Sequence, residues 1–206
     1  MIIVQSGPGE MHSGRALRTM FEDRKSVFVD LLGWDVPVLD GRFEIDEFDD
    51  GHATYVIVAD GSGDHLASAR LLPTTRRHIL GSLFPQLCAD RPPTGPDIVE
   101  ITRFCLSRRH NSKERRNARN QLVAALACHA LDRGIRIYSG VAELTWLQQI
   151  LAFGWACRPL GPPQHLDCGL IGALAIDIKP DTPARLEANG IWSPLEDVAV
   201  PVAQAA

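Results

Sequence analysis

Arg24, Phe28 and Trp34 stand close together, and the acidic run Glu44-Ile45-Asp46-Glu47-Phe48-Asp49 follows them. Ser68-Ala69-Arg70-Leu71-Leu72-Pro73-Thr74 and Val99-Glu100-Ile101-Thr102-Arg103-Phe104 come next. Together these types suit a small zwitterionic or cationic ligand. Carboxylates would meet an ammonium, guanidiniums a carboxylate, and aromatic faces the remaining positive charge. Glu100 and Arg103 lie among Ile98, Val99, Ile101, Phe104 and Cys105, where a carboxylate is costly unless paired or used. On an unbroken strand Glu100 and Thr102 share one face, and Ile101 and Arg103 the other. A structural ion pair is the competing reading for Glu100, Arg103 and Arg70, and core packing the competing one for Phe28 and Trp34.

A second chemistry-bearing stretch is Ser107-Arg108-Arg109-His110-Asn111-Ser112-Lys113-Glu114-Arg115-Arg116-Asn117-Ala118-Arg119. Its basic residues gather where a helix begins, against the preference of the helix dipole. A bound phosphate would remove that conflict; a solvated basic loop is the alternative. Arg108, Arg109, Lys113, Arg115, Arg116 and Arg119 are therefore candidates to bind a phosphate-bearing or acidic carrier.

These residues need elements to position them. Met1 to Val4 reads as a short strand, and Gly14 to Leu32 as a helix with Ser13 as N-cap, Leu17, Met20, Phe21, Phe28, Leu31 and Leu32 on its apolar face, and Gly33 as its stop. Ala53 to Ala59 and His65 to Leu72 form a hairpin across Asp60-Gly61-Ser62-Gly63-Asp64. That Gly-x-Gly is a turn and not a nucleotide loop, because no helix follows it. Further elements are a short helix or turn over Ile79 to Leu87, a strand over Asp97 to Leu106 and a long helix over Lys113 to Arg133 with Leu122, Val123, Leu126, Ala130 and Leu131 inward. A strand over Gly134 to Ala142, a helix over Glu143 to Phe153, strands over Trp155 to Leu160 and Gly169 to Ile178, and a helix over Pro180 to Asn189 complete the list. The order predicts one domain with a mixed α/β sheet and helices on its faces, its tail after Ile191 loosely held.

Composition agrees with an ordinary globular chain: 206 residues, 45% hydrophobic and 22% charged, enough for one core without staples. A net charge of -4 argues against general nucleic-acid binding. No apolar run approaches the roughly 20 residues of a membrane span, and the start lacks the features of a signal peptide. The five cysteines, Cys88, Cys105, Cys128, Cys157 and Cys168, are odd in number and without zinc-like spacing. A reduced, cytoplasmic protein without structural metal is expected. Asp46, Asp50 and Gly51 fit part of a calcium loop, but Phe48 and Ile57 occupy ligand positions, so calcium is rejected. No G-x-S-x-G is present, and covalent catalysis has no support.

Taken together, Ile45-Asp46-Glu47-Phe48-Asp49, Ala69-Arg70-Leu71-Leu72-Pro73-Thr74, Leu83-Phe84-Pro85 and Glu100-Ile101-Thr102-Arg103-Phe104, with Arg24, Phe28 and Trp34 at family-like spacing, resemble the acyl-homoserine lactone synthases of the autoinducer synthase family. The likeness covers roughly Arg24 to Ile178. It implies an N-acetyltransferase-like fold and an acyltransferase that makes a quorum-sensing signal. An acyl thioester would be joined to the amine of S-adenosylmethionine, and the methionine carboxylate would then close to the lactone, releasing methylthioadenosine. No cofactor is implied, S-adenosylmethionine being a substrate.

On that resemblance Glu100 is the expected base for the α-ammonium, directly or through water. Asp46 and Asp49 would support the S-adenosylmethionine site, and Arg24, Arg70 and Arg103 would hold its carboxylate or brace the acids. Phe28 and Trp34 would wall it, with Phe84 among the substrate-binding set. Backbone N–H groups of Phe104, Cys105 and Leu106 would polarise the thioester carbonyl. Val141, Ala142, Leu144 and Trp146 would line the acyl chain, Trp146 being equally readable as core.

Ala142 stands where many members carry a threonine associated with 3-oxo chains, which weighs against such a chain unless Ser139 substitutes. Glu143-Leu144-Thr145-Trp146-Leu147, Gly154-Trp155 and the Pro159-to-Gln164 segment look like a branch in which some members use acyl-coenzyme A, whereas typical members use acyl carrier protein. The basic cluster suits either donor. Two alternatives remain: an N-acyltransferase using acyl-coenzyme A on another amine, and a non-catalytic S-adenosylmethionine-binding relative.

Overall fold

The structure, a computed structural model, describes residues 1–8, 14–166 and 169–192, and the backbone of 198–199. Ser13, Cys168 and most of the tail after Ile191 fall outside the described residues. The chain forms two compact units from alternating stretches. The first takes Met1–Arg70, Arg103–Ala125 and the described residues Val198 and Ala199; the second takes Leu71–Thr102 and the segment from Leu126.

In the first unit β1 (Ile2–Ser6) pairs antiparallel with β4 (Thr54–Ala59) and parallel with β11 (Val198–Ala199). β4 is buried from Tyr55 to Ala59, all of them inaccessible, as its continuous apolar run predicts. Its neighbour β5 (His65–Pro73) follows a tight turn. There the Asp60 carboxylate accepts the N–H groups of Ser62 and Asp64, and Gly63 supplies the positive φ. The Gly-x-Gly is thus a hairpin turn, as expected.

The helix foreseen over Gly14 to Leu32 is two things. α1 (Arg15–Arg24) is α-helical and packs Leu17, Met20 and Phe21 inward, Phe21 meeting Tyr55 edge-on. From Lys25 to Leu31 the turn widens to π-helix. A π turn inserts one extra residue per turn and rotates the side chains beyond it. Phe28 therefore stays buried while Leu31 and Leu32 point to solvent, against the expectation from an unbroken 3.6 period. Gly33, at φ 68°, ends the stretch, and the Trp34 N–H reaches back to the Phe28 carbonyl at 2.8 Å. Beyond it, β2 (Val38–Leu39) and β3 (Phe43–Glu44) form a small hairpin within the loop that the charge, glycine and proline content predicts.

In the second unit the start of β6 (Ile98–Leu106) runs parallel to β7 (Ile137–Glu143). β10 (Gly169–Asp177) pairs antiparallel with β7, with β8 (Ala156–Pro159) and with β9 (Gln164–Leu166). α2 (Ile79–Leu83), α4 (Leu144–Leu151) and α5 (Thr182–Ala188) complete it, α4 packing on β7 and β10. β5, β6 and the long α3 (Ser112–Arg133) each carry residues of both units. Each unit is a mixed sheet with helices, which is the expected α/β class. Along α3, Leu122, Val123, Leu126 and Ala130 are buried as expected, but Leu131 is exposed.

Candidate active site

Six charged side chains of the first unit close into a ring of alternating sign. Arg24 donates through Nε to Glu44 (2.6 Å) and through both terminal nitrogens to Asp49 (2.8 Å each). Arg70 takes Asp49 at 2.9 Å and binds Asp46 at 2.5 and 3.1 Å. Arg103 completes the circuit, donating to Asp46 at 2.6 Å and to Glu44 at 3.0 Å. Three cations and three anions cancel. The Tyr55 hydroxyl adds a bond to Asp49 at 2.9 Å.

Local structure aims these groups. Arg24 ends α1, Glu44 ends β3, and the Asp46 and Asp49 carboxylates are locked by their own turn, accepting the N–H groups of Phe48 and Asp46 respectively. Arg103 adopts φ 48° within β6, a left-handed conformation rare for a non-glycine residue. This is a bulge. Burial alternates through Glu100 and Thr102 and then resumes at Cys105 instead of Phe104. The two-faced strand assumed from the sequence therefore fails at Arg103, the residue whose side chain the twist re-aims.

Burial alone would push the Asp49 carboxyl up, but the charges of Arg24 and Arg70 outweigh it and hold it well below the usual carboxylate range. Asp46 is lowered in the same way, against its burial, by Arg70 and Arg103. Both acids are thus carboxylates at any physiological pH and act as fixed charge.

Against this ring lies an aromatic pair. Phe28 and Trp34 stack with centroids 4.8 Å apart and planes 17° from parallel. The Arg103 guanidinium sits over both rings, at 5.5 and 5.6 Å, within cation–π range. The π turn and Gly33 create the stack, since the Trp34-to-Phe28 backbone bond returns the chain onto the helix it has left.

In the basic stretch after β6, three of the six basic side chains have partners within the chain. The Arg109 guanidinium donates to Asp23 at 2.8 Å, and Asp23 also binds the buried His65 ring at 2.7 Å, whose far nitrogen meets Ser68. Arg108 reaches the Ser26 carbonyl, and Arg119 is held by Asn120. Lys113, Arg115 and Arg116 are exposed. The presumed clash with the helix dipole is met within the chain. Asn111 caps the N–H groups of Lys113 and Glu114, and Glu114 reaches back to the Asn111 N–H, a capping box built on asparagine.

In the second unit Glu100 is completely buried and its Oε1 accepts the Leu80 N–H at 2.8 Å. Phe84 and Val141 pack on one cluster with Leu80, Leu87, Ile171 and Ala173. Ala142 is buried and Leu144 opens α4. Trp146 meets Phe153 edge-on at 5.8 Å, with Trp155 beyond, so it belongs to an aromatic group of three. In the first unit Phe104 and Leu106 are half-buried beside Cys105, whose thiol burial pushes far up; it behaves as a small hydrophobe. Among the described residues no group of three or more His, Cys, Asp or Glu is placed to hold a metal ion.

Sequence reasoning left out Glu44, which bridges Arg24 and Arg103, and Tyr55. Glu44 was visible within the acidic run, but nothing in a loop-like segment marks which acid turns inward.

The autoinducer synthase family profile matches residues 10–178. The chain belongs to the autoinducer synthase family. The acyl-homoserine-lactone synthase of Ralstonia nicotianae is 34% identical over 173 residues, 81% of this chain and 84% of that one. Two solved coenzyme-A-dependent acyl-homoserine lactone synthases align closely with the fold. BjaI, in complex with methylthioadenosine, has TM-score 0.81 and 29% identity, over 97% of this chain and 92% of that one. MesI has TM-score 0.82 and 29% identity, over 97% and 99%. BjaI has also been solved with S-adenosylmethionine and isopentyl-coenzyme A. An acyl-coenzyme A N-acyltransferase from Pseudomonas aeruginosa, 15% identical over 85% of this chain and 99% of its own, shares the fold at TM-score 0.56. As a member of the autoinducer synthases the protein is an acyltransferase that makes acyl-homoserine lactone.

Proposed function

We propose that this synthase joins an unsubstituted acyl group, delivered by coenzyme A, to S-adenosylmethionine held at the closed ring and the Phe28–Trp34 stack. The observation that carries the reading is Arg103, which binds Glu44 and Asp46 while covering both aromatic faces. Those groups offer what the substrate carries: cationic nitrogen for a carboxylate, carboxylates for an ammonium, and π faces for a sulfonium. Because the ring is neutral and internally paired, it is a rigid platform that costs little reorganisation when the substrate arrives.

In this reading Glu100 takes a proton from the α-ammonium, and the free amine attacks the thioester carbonyl. The C–S bond breaks, the thiolate takes the second nitrogen proton to become the thiol, and Glu100 releases the first to solvent. The Arg103 bulge immediately precedes Phe104, Cys105 and Leu106, whose N–H groups are assigned to the developing oxyanion. The methionine carboxylate then attacks its own γ-carbon. The sulfonium leaves as neutral methylthioadenosine, so charge is conserved.

Coenzyme A is favoured by the likeness to BjaI and MesI over almost the whole chain. Acyl carrier protein is the second reading, favoured by exposed Lys113, Arg115 and Arg116. Ala142 in place of a hydroxyl residue supports a chain without a 3-oxo group. We assign the reaction no resident cofactor or metal, and prior treatment with a chelator is expected to leave the rate unchanged. No described helix is long and apolar enough to cross a membrane, and we place the enzyme in the cytoplasm, without nucleic-acid or membrane partners.

The test is methylthioadenosine release from S-adenosylmethionine with acyl thioesters on both carriers, and mass spectrometry of the organic extract. Release with acyl-coenzyme A and the matching lactone is expected. Release only with acyl carrier protein would replace the donor assignment, and S-adenosylmethionine binding without release from any donor would overturn the reading.

A further inference from the structure

The Ser139 hydroxyl is 1% exposed and finds no hydrogen-bond partner among the described residues. Buried hydroxyls are nearly always bonded, and one left alone destabilises a fold. Its place explains its presence. In the parallel pairing of β6 with β7, Ser139 stands directly opposite Glu100; on its other side, in β10, it stands opposite Ala175. Paired residues on neighbouring strands face the same side of a sheet, so the row reads Glu100, Ser139, Ala175. Alanine offers no polar atom, which leaves the Glu100 carboxylate as the polar neighbour in the row. The strands are close there, since a Cβ on Gly140 would come within 3.1 Å of the Ile101 carbonyl.

We propose that Ser139 is a positioning residue that holds a water molecule against Glu100, and that this water carries the proton from the substrate ammonium to the carboxylate. The inference rests on the reading of Glu100 as base. Two polar partners of the chain, with the ammonium as a third, meet what a buried water requires. The Leu80 N–H on Oε1 fixes the carboxylate that receives the proton. The ammonium gives one proton to the water, and the water passes one to Glu100, which later releases it to solvent. The second nitrogen proton, made acidic once the amine has attacked, goes to the departing thiolate.

The decisive comparison is Ser139→Ala and Ser139→Thr beside Glu100→Gln, by steady-state kinetics, solvent deuterium effect and thermal midpoint. Ser139→Ala is expected to lower kcat by about 10- to 100-fold and to change the solvent isotope effect. KM for both substrates should stay within about twofold, with no fall in melting temperature. Ser139→Thr, which keeps the hydroxyl, should recover much of the rate. A structural serine would show the reverse, with lower melting temperature and ordinary kcat. Unchanged kcat in Ser139→Ala together with an inactive Glu100→Gln would overturn the relay and leave the base in place. An active Glu100→Gln would overturn both.

Discussion

Arg103 reaches Glu44 from a backbone turned to φ 48°, and that unfavourable conformation is where β6 gives up its alternation. Strain of this kind costs about 1–3 kcal/mol and persists only where the surroundings impose it. Here two carboxylates and two aromatic rings grip the guanidinium. Arg103→Lys keeps the charge but not the planar fork that spans both acids. It is expected to reduce turnover by about tenfold or more and to leave the fold intact. Circular dichroism beside the methylthioadenosine assay separates the two effects; wild-type turnover would remove Arg103 from the site.

Arg24 has no freedom to be absent. Arg24→Met leaves three buried acids with two cations, Glu44 keeping only Arg103 and Asp49 only Arg70 among the arginines of the ring, and removing one partner of a buried ion pair costs about 3–5 kcal/mol. Urea denaturation should show a clearly lower midpoint, and a shift below about 1 kcal/mol would mean that water reaches the ring.

Acid should unfold the protein through the same groups. The carboxyls of Asp46 and Asp49 lie below their unfolded values, so the unfolded chain binds more protons as pH falls. Their contribution is complete above the unfolded carboxylate value of about 4 and is lost as pH drops further toward the depressed native values. His65, which burial holds below its ordinary value despite Asp23, adds an earlier loss that begins near pH 6.5. Stability measured from pH 7 to 3 should therefore fall in two stages; a flat profile across that range would contradict the ring as described.

The aromatic stack is expected to govern affinity more than rate. Trp34→Ala removes one of the two faces beneath Arg103, and cation–π contacts are worth about 0.5–2 kcal/mol. S-adenosylmethionine binding by calorimetry should weaken by about 2- to 30-fold. Equal affinity would place the sulfonium elsewhere.

Two glycines should respond differently to a methyl group. Gly33 has open space around its Cβ position but needs φ 68°, so Gly33→Ala should cost about 1 kcal/mol. At Gly161 a Cβ would lie 2.5 Å from the Leu87 carbonyl and 2.9 Å from the Ala89 nitrogen. Backbone atoms cannot give way as side-chain tips do, so Gly161→Ala should destabilise more than Gly33→Ala in the same urea series. The opposite ranking would show that the loop yields.

Most elements were legible because their patterns are local. The long apolar run of β4, the 3.6 period of α3 and the glycine-rich hairpin turn each state their structure within a few residues. The π turn was not legible. Phe28, Leu31 and Leu32 fit one helical face until an inserted residue rotates two of them outward. The bulge at Arg103 was hidden for the same reason, since alternation cannot announce the residue at which it stops. At the site, the sequence picked out the arginines, the two aspartates and the aromatics. It missed Glu44, whose inward turn depends on the small β2–β3 hairpin.

The alternation of the chain between its two units also bears on synthesis. Arg24, Glu44, Asp46, Asp49 and Arg70 leave the ribosome first, and at about 5–20 residues per second Arg103 follows some seconds later. During that interval three acids share two cations, and one negative charge is left to solvent or to a passing counterion. The nascent chain must therefore keep this region open or wet until β6 emerges, and only then can the interior be sealed.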